Sequence, residues 1–175
     1  MIRKQPLQLS QMQTSTLIML ICFIAASFAA ASTSAIFPSG EWYKQLDKPR
    51  WRPPDGLFAP VWAVLYALIG LSGWFVWREA GFSDAALPLG VYALQLLLNA
   101  AWTPIFFGLH RPGLALVEIF ILWGSIVATM AMFHPVSAAA AWLLVPYFAW
   151  VSFASVLNLS IWRRNSVPVA AKPAR

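Results

Sequence analysis

The chain has 175 residues, of which 60% are hydrophobic and only 10% are charged, with a mean hydropathy of +0.67. Soluble domains carry about 25% charged residues, so this composition excludes a soluble globular protein and requires lipid around the chain. The formal net charge is +6, but the few basic residues lie mainly between and after apolar runs, where they can meet anionic lipid headgroups. No nucleic-acid partner is expected.

Five apolar stretches are long enough to cross a bilayer as helices, which takes about 20 residues each. Proline and glycine mark the breaks between them, and the runs are continuous rather than alternating, which excludes a β-barrel of the outer-membrane type. We predict an all-α membrane protein with a five-transmembrane-helix bundle at residues 15–165, between a flexible tail at 1–14 and a disordered tail at 166–175. The predicted spans are residues 17–36, 58–77, 87–107, 114–133 and 138–162.

The first span has an alternative interpretation. Arg3 and Lys4 precede an apolar run that ends in small residues at 29–35, as in a secretory signal. The run is longer than a typical signal core, so we favour a retained helix.

An odd number of spans places the two termini on opposite sides of the membrane. The N-terminal tail and the second and fourth loops then share one side, which carries three basic residues. The other side, with the first and third loops and the C-terminal tail, carries nine, and the positive-inside rule makes it cytoplasmic. The nine are Lys44, Lys48, Arg50, Arg52, Arg111, Arg163, Arg164, Lys172 and Arg175, against Arg3, Lys4 and Arg78.

The first loop, residues 37–57, is the long one, and it contains Trp42, Tyr43 and Trp51 together with four prolines. Its aromatic residues are too apolar for a loop in water, and its prolines restrict the backbone. We expect this loop to fold over the helix ends as a lid.

Aromatic and amide side chains fall on one face of each of three spans, at similar depths below the first loop. The spacing is four residues in the second and fifth spans, and four then three in the third, so each set shares a helix face. Helical rise places most of these residues about 6 to 18 Å below the cytoplasmic helix ends. This arrangement predicts a pocket. The sets are Trp62 and Tyr66; Gln95, Asn99 and Trp102; and Trp150, Ala154 and Asn158.

Several of these polar residues have a purely structural interpretation. Asn99 and Asn158 can link helices by hydrogen bonds rather than contact a ligand. Glu118 lies within two turns of its helix start, and we expect it to extend towards the membrane interface. No phosphate-binding glycine loop, zinc motif or cysteine pair is present, and His110 and His134 lie at opposite ends of the fourth span, so no metal site is predicted.

Three segments together resemble the tryptophan-rich sensory protein family, the bacterial relatives of the mitochondrial translocator protein or peripheral benzodiazepine receptor. They are WYKQLDKPRWRPP at residues 42–54, NAAWTPIFFG at residues 99–108, and the stretch at residues 146–163, with Pro60-Val61-Trp62 between the first two. The likeness extends from about Pro38 to Asn165, most of the chain.

The resemblance implies a five-helix bundle, usually a homodimer, that binds porphyrins such as protoporphyrin IX and aromatic drug-like molecules, without a required cofactor. The implied pocket falls on Tyr43, Pro53, Trp62, Asn99, Phe106, Trp150 and Ala154. Adding neighbours from the face analysis, the predicted ligand-binding residues are Tyr43, Trp51, Pro53, Trp62, Tyr66, Asn99, Trp102, Phe106, Trp150 and Ala154.

Two positions depart from the animal members of that family. Leu159 stands where their sterol-recognition pattern has a tyrosine, although Arg163 is retained, so specific cholesterol binding is not expected. Arg52 occupies a loop position that is often histidine, which changes how an acidic ligand group is held.

Three functions are compatible with the sequence. The leading one is tetrapyrrole binding in sensing, transport or regulation. The second is light-dependent porphyrin degradation, with Trp62 and Trp102 as candidate radical relays. The third is an interaction protein in which a ligand stabilises a dimer.

Overall fold

The computed structural model describes the backbone of residues 5–166 and the side chains of residues 13–166; the predicted tail residues 1–4 and 167–175 lie outside this range. Within it all regular structure is helical, as predicted. The helices are α1 (Gln5–Ala31), α2 (Thr33–Ile36), α3 (Glu41–Gln45), α4 (Asp55–Asp84), α5 (Ala86–Thr103), α6 (Pro112–Phe133), α7 (Ala138–Leu143) and α8 (Val145–Asn165), with a π-helical turn at Pro104–Gly108.

Five helical segments are long and apolar enough to cross a membrane, which confirms the predicted number of spans. The helices extend beyond most predicted limits: α1 begins at Gln5, ahead of the expected domain start at residue 15. The segments are Gln13–Ile36, Asp55–Asp84, Ala86–Gly108, Pro112–Phe133 and Ala138–Asn165.

The second span ends in a kink rather than at the predicted residue 77. Gly81 has φ 69° and ψ −171°, a conformation that glycine adopts readily because it has no Cβ. The chain therefore changes direction at Gly81 and enters α5 at Ala86 with almost no connecting loop.

The third span ends in a wider turn that fixes its register with the fourth. Pro104 has no N–H and cannot continue the α-helical hydrogen bonding. The Leu109 N–H instead bonds the Pro104 carbonyl at 2.9 Å, and the Arg111 N–H bonds the Ile105 carbonyl at 3.3 Å. Arg111 therefore lies beside Ile105 when α6 begins.

Packing brings α4, α5 and α8 around a common interior. α4 packs on α1 and α7, while α6 lies against both α5 and α8. The approach of α4 to α1 is close, since a Cβ on Gly70 would lie 2.8 Å from the Ile24 Cα atom. The largest fully buried side chains include Tyr147, Phe106, Gln95 and Asn158.

Candidate functional site: an aromatic and amide cluster beneath the first loop

Three spans meet through one hydrogen-bonded group of side chains. The Tyr66 hydroxyl on α4 donates to Asn99 Oδ1 on α5 at 2.6 Å, and Asn99 Nδ2 donates to the Tyr147 hydroxyl on α8 at 3.0 Å. Trp62 stacks on Tyr66 at 5.3 Å between ring centroids and meets the Tyr147 ring edge-on at 6.2 Å. We call Trp62, Tyr66, Asn99 and Tyr147 the central cluster. It joins three of the residues that the face analysis placed together.

Trp102 and Phe106 belong to a second group, nearer the first loop. Their rings stack at 4.8 Å, and Trp102 Nε1 donates to Asn158 Oδ1 at 3.3 Å. Asn158 in turn donates from Nδ2 to the Pro112 carbonyl at 2.8 Å. This group therefore joins the ends of α5, α6 and α8.

The first loop packs on this second group, in agreement with a lid. Tyr43 on α3 contacts Phe106 at 6.2 Å and Phe107 at 5.3 Å between centroids, both edge-on. Trp42 stacks on His110 at 4.4 Å. His110 has φ 55°, a left-handed conformation uncommon for residues with a Cβ. Burial raises the pKa of the Tyr43 phenol.

A polar contact fastens the same loop to the end of α8. The Asp47 N–H donates to Asn165 Oδ1 at 3.0 Å, and Asn165 Nδ2 donates to the Asp47 carbonyl at 3.0 Å. Arg164 lies 3.7 Å from the Asp47 carboxylate. We call this Asp47–Asn165 contact the latch. It places the first loop and the end of the fifth span at the same end of the bundle.

Trp51 and Trp150 lie apart from the central cluster, around a groove between α4 and α8. Trp51 is exposed and meets Phe153 edge-on at 5.8 Å, while Trp150 contacts Phe58 at 5.7 Å and Phe153 at 5.6 Å. The groove has a volume of about 570 Å³ and an apolar lining that includes Val61, Val64, Pro146 and Trp150. Pro53 is half-buried in the loop.

Ala154 is half-buried and packs against the main hydrophobic core. It lies one turn from Trp150 and from Asn158 on α8, as the spacing indicated. Eight of the ten predicted residues thus lie in the central cluster, in the Trp102–Phe106 group with Tyr43, or beside the groove, while Pro53 lies in the first loop and Ala154 against the main hydrophobic core. Tyr147 was missed as a site residue, although it lies three residues before Trp150 on the same helix face.

Glu118 does not extend to the membrane interface, so that prediction was wrong. Its side chain is 7% exposed, on the inward face of α6. A snorkelling side chain needs a path to the polar boundary, and Glu118 instead points into helix packing. Asn99 and Asn158, in contrast, both make the interhelical hydrogen bonds that their structural interpretation anticipated.

Among the residues that the structure describes, no group of three or more His, Cys, Asp or Glu side chains is placed to hold a metal ion. The chemistry available to the site is aromatic stacking and hydrogen bonding, with basic side chains in the loop above. Three of these are engaged: Lys44 pairs with Glu41, Arg52 pairs with Asp55, and Lys48 donates to the carbonyls of Tyr43 and Lys44.

Comparison with known proteins agrees with the resemblance of the motifs. Residues 17–163 match the model of the TspO/MBR family. The chain is 47% identical to the translocator protein of Bos taurus over 128 residues, 72% of this chain and 76% of that protein. It is 42% identical to protein CrtK of Rhodobacter capsulatus over 146 residues, covering 83% and 91%. It is 39% identical to the tryptophan-rich sensory protein of Cereibacter sphaeroides over 145 residues, covering 83% and 90%. The chain is therefore a multi-pass integral membrane protein that belongs to the TspO/MBR family.

Proposed function

We propose that this protein binds planar tetrapyrroles such as protoporphyrin IX between the first loop and the ends of α4, α5 and α8. The observation that carries the proposal is the central cluster, in which Trp62, Tyr66 and Tyr147 surround the Asn99 amide. Flat aromatic ligands stack on such rings, and a porphyrin would do so in place of some of the ring contacts that the unliganded chain makes with itself.

Two further features support this proposal. The indole N–H of Trp150 is buried and has no hydrogen-bond partner in the described part of the chain, so an acceptor on a ligand would relieve the cost of an unpaired donor. Arg50 is exposed in the first loop, and no ion pair is found for it among the described residues. Arg50 is therefore the loop cation best placed to attract a propionate, because a guanidinium group can form two parallel hydrogen bonds with a carboxylate.

The cellular role that we propose is the sensing or transport of such ligands. The names of the similar proteins support this pair of roles, since one is called a translocator protein and another a tryptophan-rich sensory protein. The latch offers a physical basis for either role. A ligand that packs against the first loop or displaces it would change the contact between that loop and the end of α8.

We also propose that the end carrying the first loop faces the cytoplasm, with the N-terminus outside. The latch supports grouping the first loop with the C-terminal end of α8, and these segments hold most of the basic residues. A cytoplasm-dependent reporter fused after residue 175 should be active. Activity of a periplasm-dependent reporter there would reverse the orientation.

Light-dependent degradation of a bound porphyrin is the second candidate function. It is favoured by the stacking of Trp62 on Tyr66. An excited porphyrin would take one electron from the Trp62 indole and would return it after dioxygen has added to the macrocycle. Both oxygen atoms would then end in the ring-opened product, and no other oxidant would be needed.

The test is a titration of the purified protein with protoporphyrin IX in the dark and under illumination. Quenching of tryptophan fluorescence that saturates in the dark would support binding, and its absence would refute it. If the tryptophans also relay radicals, light should yield a new product, and Trp62→Phe or Trp102→Phe should slow its formation while keeping most of the affinity. If illuminated protoporphyrin IX bleached no faster with the protein than in detergent alone, the function would be binding without degradation.

A further inference from the structure

Gln95 and Glu118 are buried in the bundle without partners. Gln95 is 1% exposed and Glu118 is 7% exposed. Neither the two amide atoms of Gln95 nor the two carboxylate oxygens of Glu118 has a hydrogen-bond partner among residues 13–166. Leaving a buried polar group unpaired is costly, and more so for a charged one. Two such side chains therefore need a common explanation.

The two side chains lie at nearly the same level on adjacent antiparallel helices. The bond between the Arg111 N–H and the Ile105 carbonyl fixes the register of α5 and α6. From that point Gln95 lies ten residues along α5 and Glu118 seven residues along α6, about 15 Å and about 10 Å at the helical rise. They are within one helical turn of each other, and both are on inward faces.

Three polar side chains on the helices around them are already engaged, those of Asn99, Tyr92 and Ser155. Asn99, one turn from Gln95, uses both amide atoms in the central cluster. Tyr92 donates to the Ile69 carbonyl at 3.3 Å, and the Ser155 hydroxyl donates to the Val151 carbonyl at 2.8 Å. The basic residues with described side chains lie in loops or towards helix ends. They are Lys44, Lys48, Arg50, Arg52, Arg78, Arg111, Arg163 and Arg164.

We propose that Gln95 and Glu118 form a binding site for the primary ammonium group of an aromatic ligand. The two carboxylate oxygens and the Gln95 carbonyl oxygen offer three acceptors, and an alkylammonium offers three N–H donors and the opposite charge. Binding would pair atoms that the chain leaves unpaired. The aromatic body of such a ligand would lie towards the rings of Tyr147 and Trp150, where a cation is also stabilised by ring faces.

The ammonium contacts at Gln95 and Glu118 are separate from the proposed porphyrin contacts, although both ligands would approach the rings of Tyr147 and Trp150. Porphyrin propionates are anions, which Glu118 would repel, so the ligand class is a different one. Loss of the ammonium site would leave porphyrin binding through the central cluster and Arg50 in place. Loss of porphyrin binding would likewise leave the ammonium site in place.

The test compares 2-(2-naphthyl)ethylamine with 2-(2-naphthyl)ethanol, two probes of the same shape, on the full-length protein in lipid nanodiscs at neutral pH. Titration calorimetry should show that the amine binds at least about tenfold more tightly than the alcohol, since charge-assisted hydrogen bonds are the strong ones. Glu118→Gln should remove this preference while keeping the shape of the side chain. Asp84→Asn, which removes an exposed acid at the opposite end of the bundle, should retain it.

Gln95→Leu provides a second variant if Glu118→Gln does not fold. It removes one of the three acceptors and should lower the preference for the amine about fivefold. Equal affinity for the two probes in the parent protein would overturn the site and favour internal water at these side chains. A preference that survives in both Glu118→Gln and Gln95→Leu would also overturn it.

Discussion

Two groups of buried polar side chains, centred on Asn99 and Gln95, lie about one helical turn apart along α5. The first is hydrogen-bonded within the described chain and the second is not. Asn99 satisfies the hydroxyls of Tyr66 and Tyr147 at 2.6 and 3.0 Å, and three spans are joined by it. Gln95, on the preceding turn, and Glu118, across from it on α6, bond nothing in the described chain. Buried polar side chains in this membrane bundle therefore differ in whether the described chain itself supplies their hydrogen-bond partners.

The comparison predicts opposite effects on stability for matched substitutions. Asn99→Leu leaves two phenol hydroxyls without their partner inside the bundle and should lower the free energy of unfolding by about 2 to 3 kcal/mol. Unfolding by sodium dodecyl sulfate in mixed micelles measures this change. A loss well below about 1 kcal/mol would mean that the central cluster contributes little to holding the three spans together.

Glu118→Leu should raise the free energy of unfolding by about 1 to 2 kcal/mol, because it replaces an unpaired buried carboxyl with an apolar side chain of similar size. The same titration measures it, with Asp84→Asn as the control that should change nothing. Destabilisation by Glu118→Leu would show that Glu118 has a structural partner, and the contrast with Asn99 would disappear.

The smallest effect is expected at the latch, whose hydrogen bonds are exposed to water. Asn165→Ala removes both bonds to Asp47 and should cost about 1 kcal/mol or less. Amide exchange in residues 41–54 should rise, because the first loop loses its tie to α8 while Tyr43 still packs on Phe106 and Phe107. Arg163→Ala is the matched control, since Arg163 is exposed next to the latch residues. Unchanged exchange in Asn165→Ala would mean that the aromatic contacts alone hold the loop.

The sequence predicted the fold well because bilayer thickness sets the length of a span and leaves few alternatives for its structure. The five spans and the packing of the first loop over the helix ends follow from that limit and from proline and glycine chemistry. Helix-face analysis also placed Tyr66 with Asn99, because residues four apart share a face.

Rotation of each helix about its own axis was harder to predict. Glu118 was expected to reach the interface from its position near the helix start, but the face it occupies depends on how α6 packs between α5 and α8. Tyr147 was overlooked for the same reason, since its partner Asn99 is 48 residues away in sequence. Such contacts require the tertiary arrangement, which local spacing does not contain.

Porphyrin binding at the meeting point of α4, α5 and α8 is tested most directly by Ala154→Thr. The substitution adds a hydroxyl and a methyl group one turn from both Trp150 and Asn158, and the hydroxyl can bond back to the Trp150 carbonyl. Overpacking of about 1 to 3 kcal/mol corresponds to roughly five- to 150-fold weaker binding, with helix content and thermal stability nearly retained. Ala128→Thr on α6 should bind protoporphyrin IX like the parent in the same tryptophan-quenching titration. If the Ala154→Thr variant bound protoporphyrin IX as tightly as the parent, the proposed binding site would be wrong. The proximity of Tyr66, Asn99 and Ala154 would then reflect ordinary helix packing.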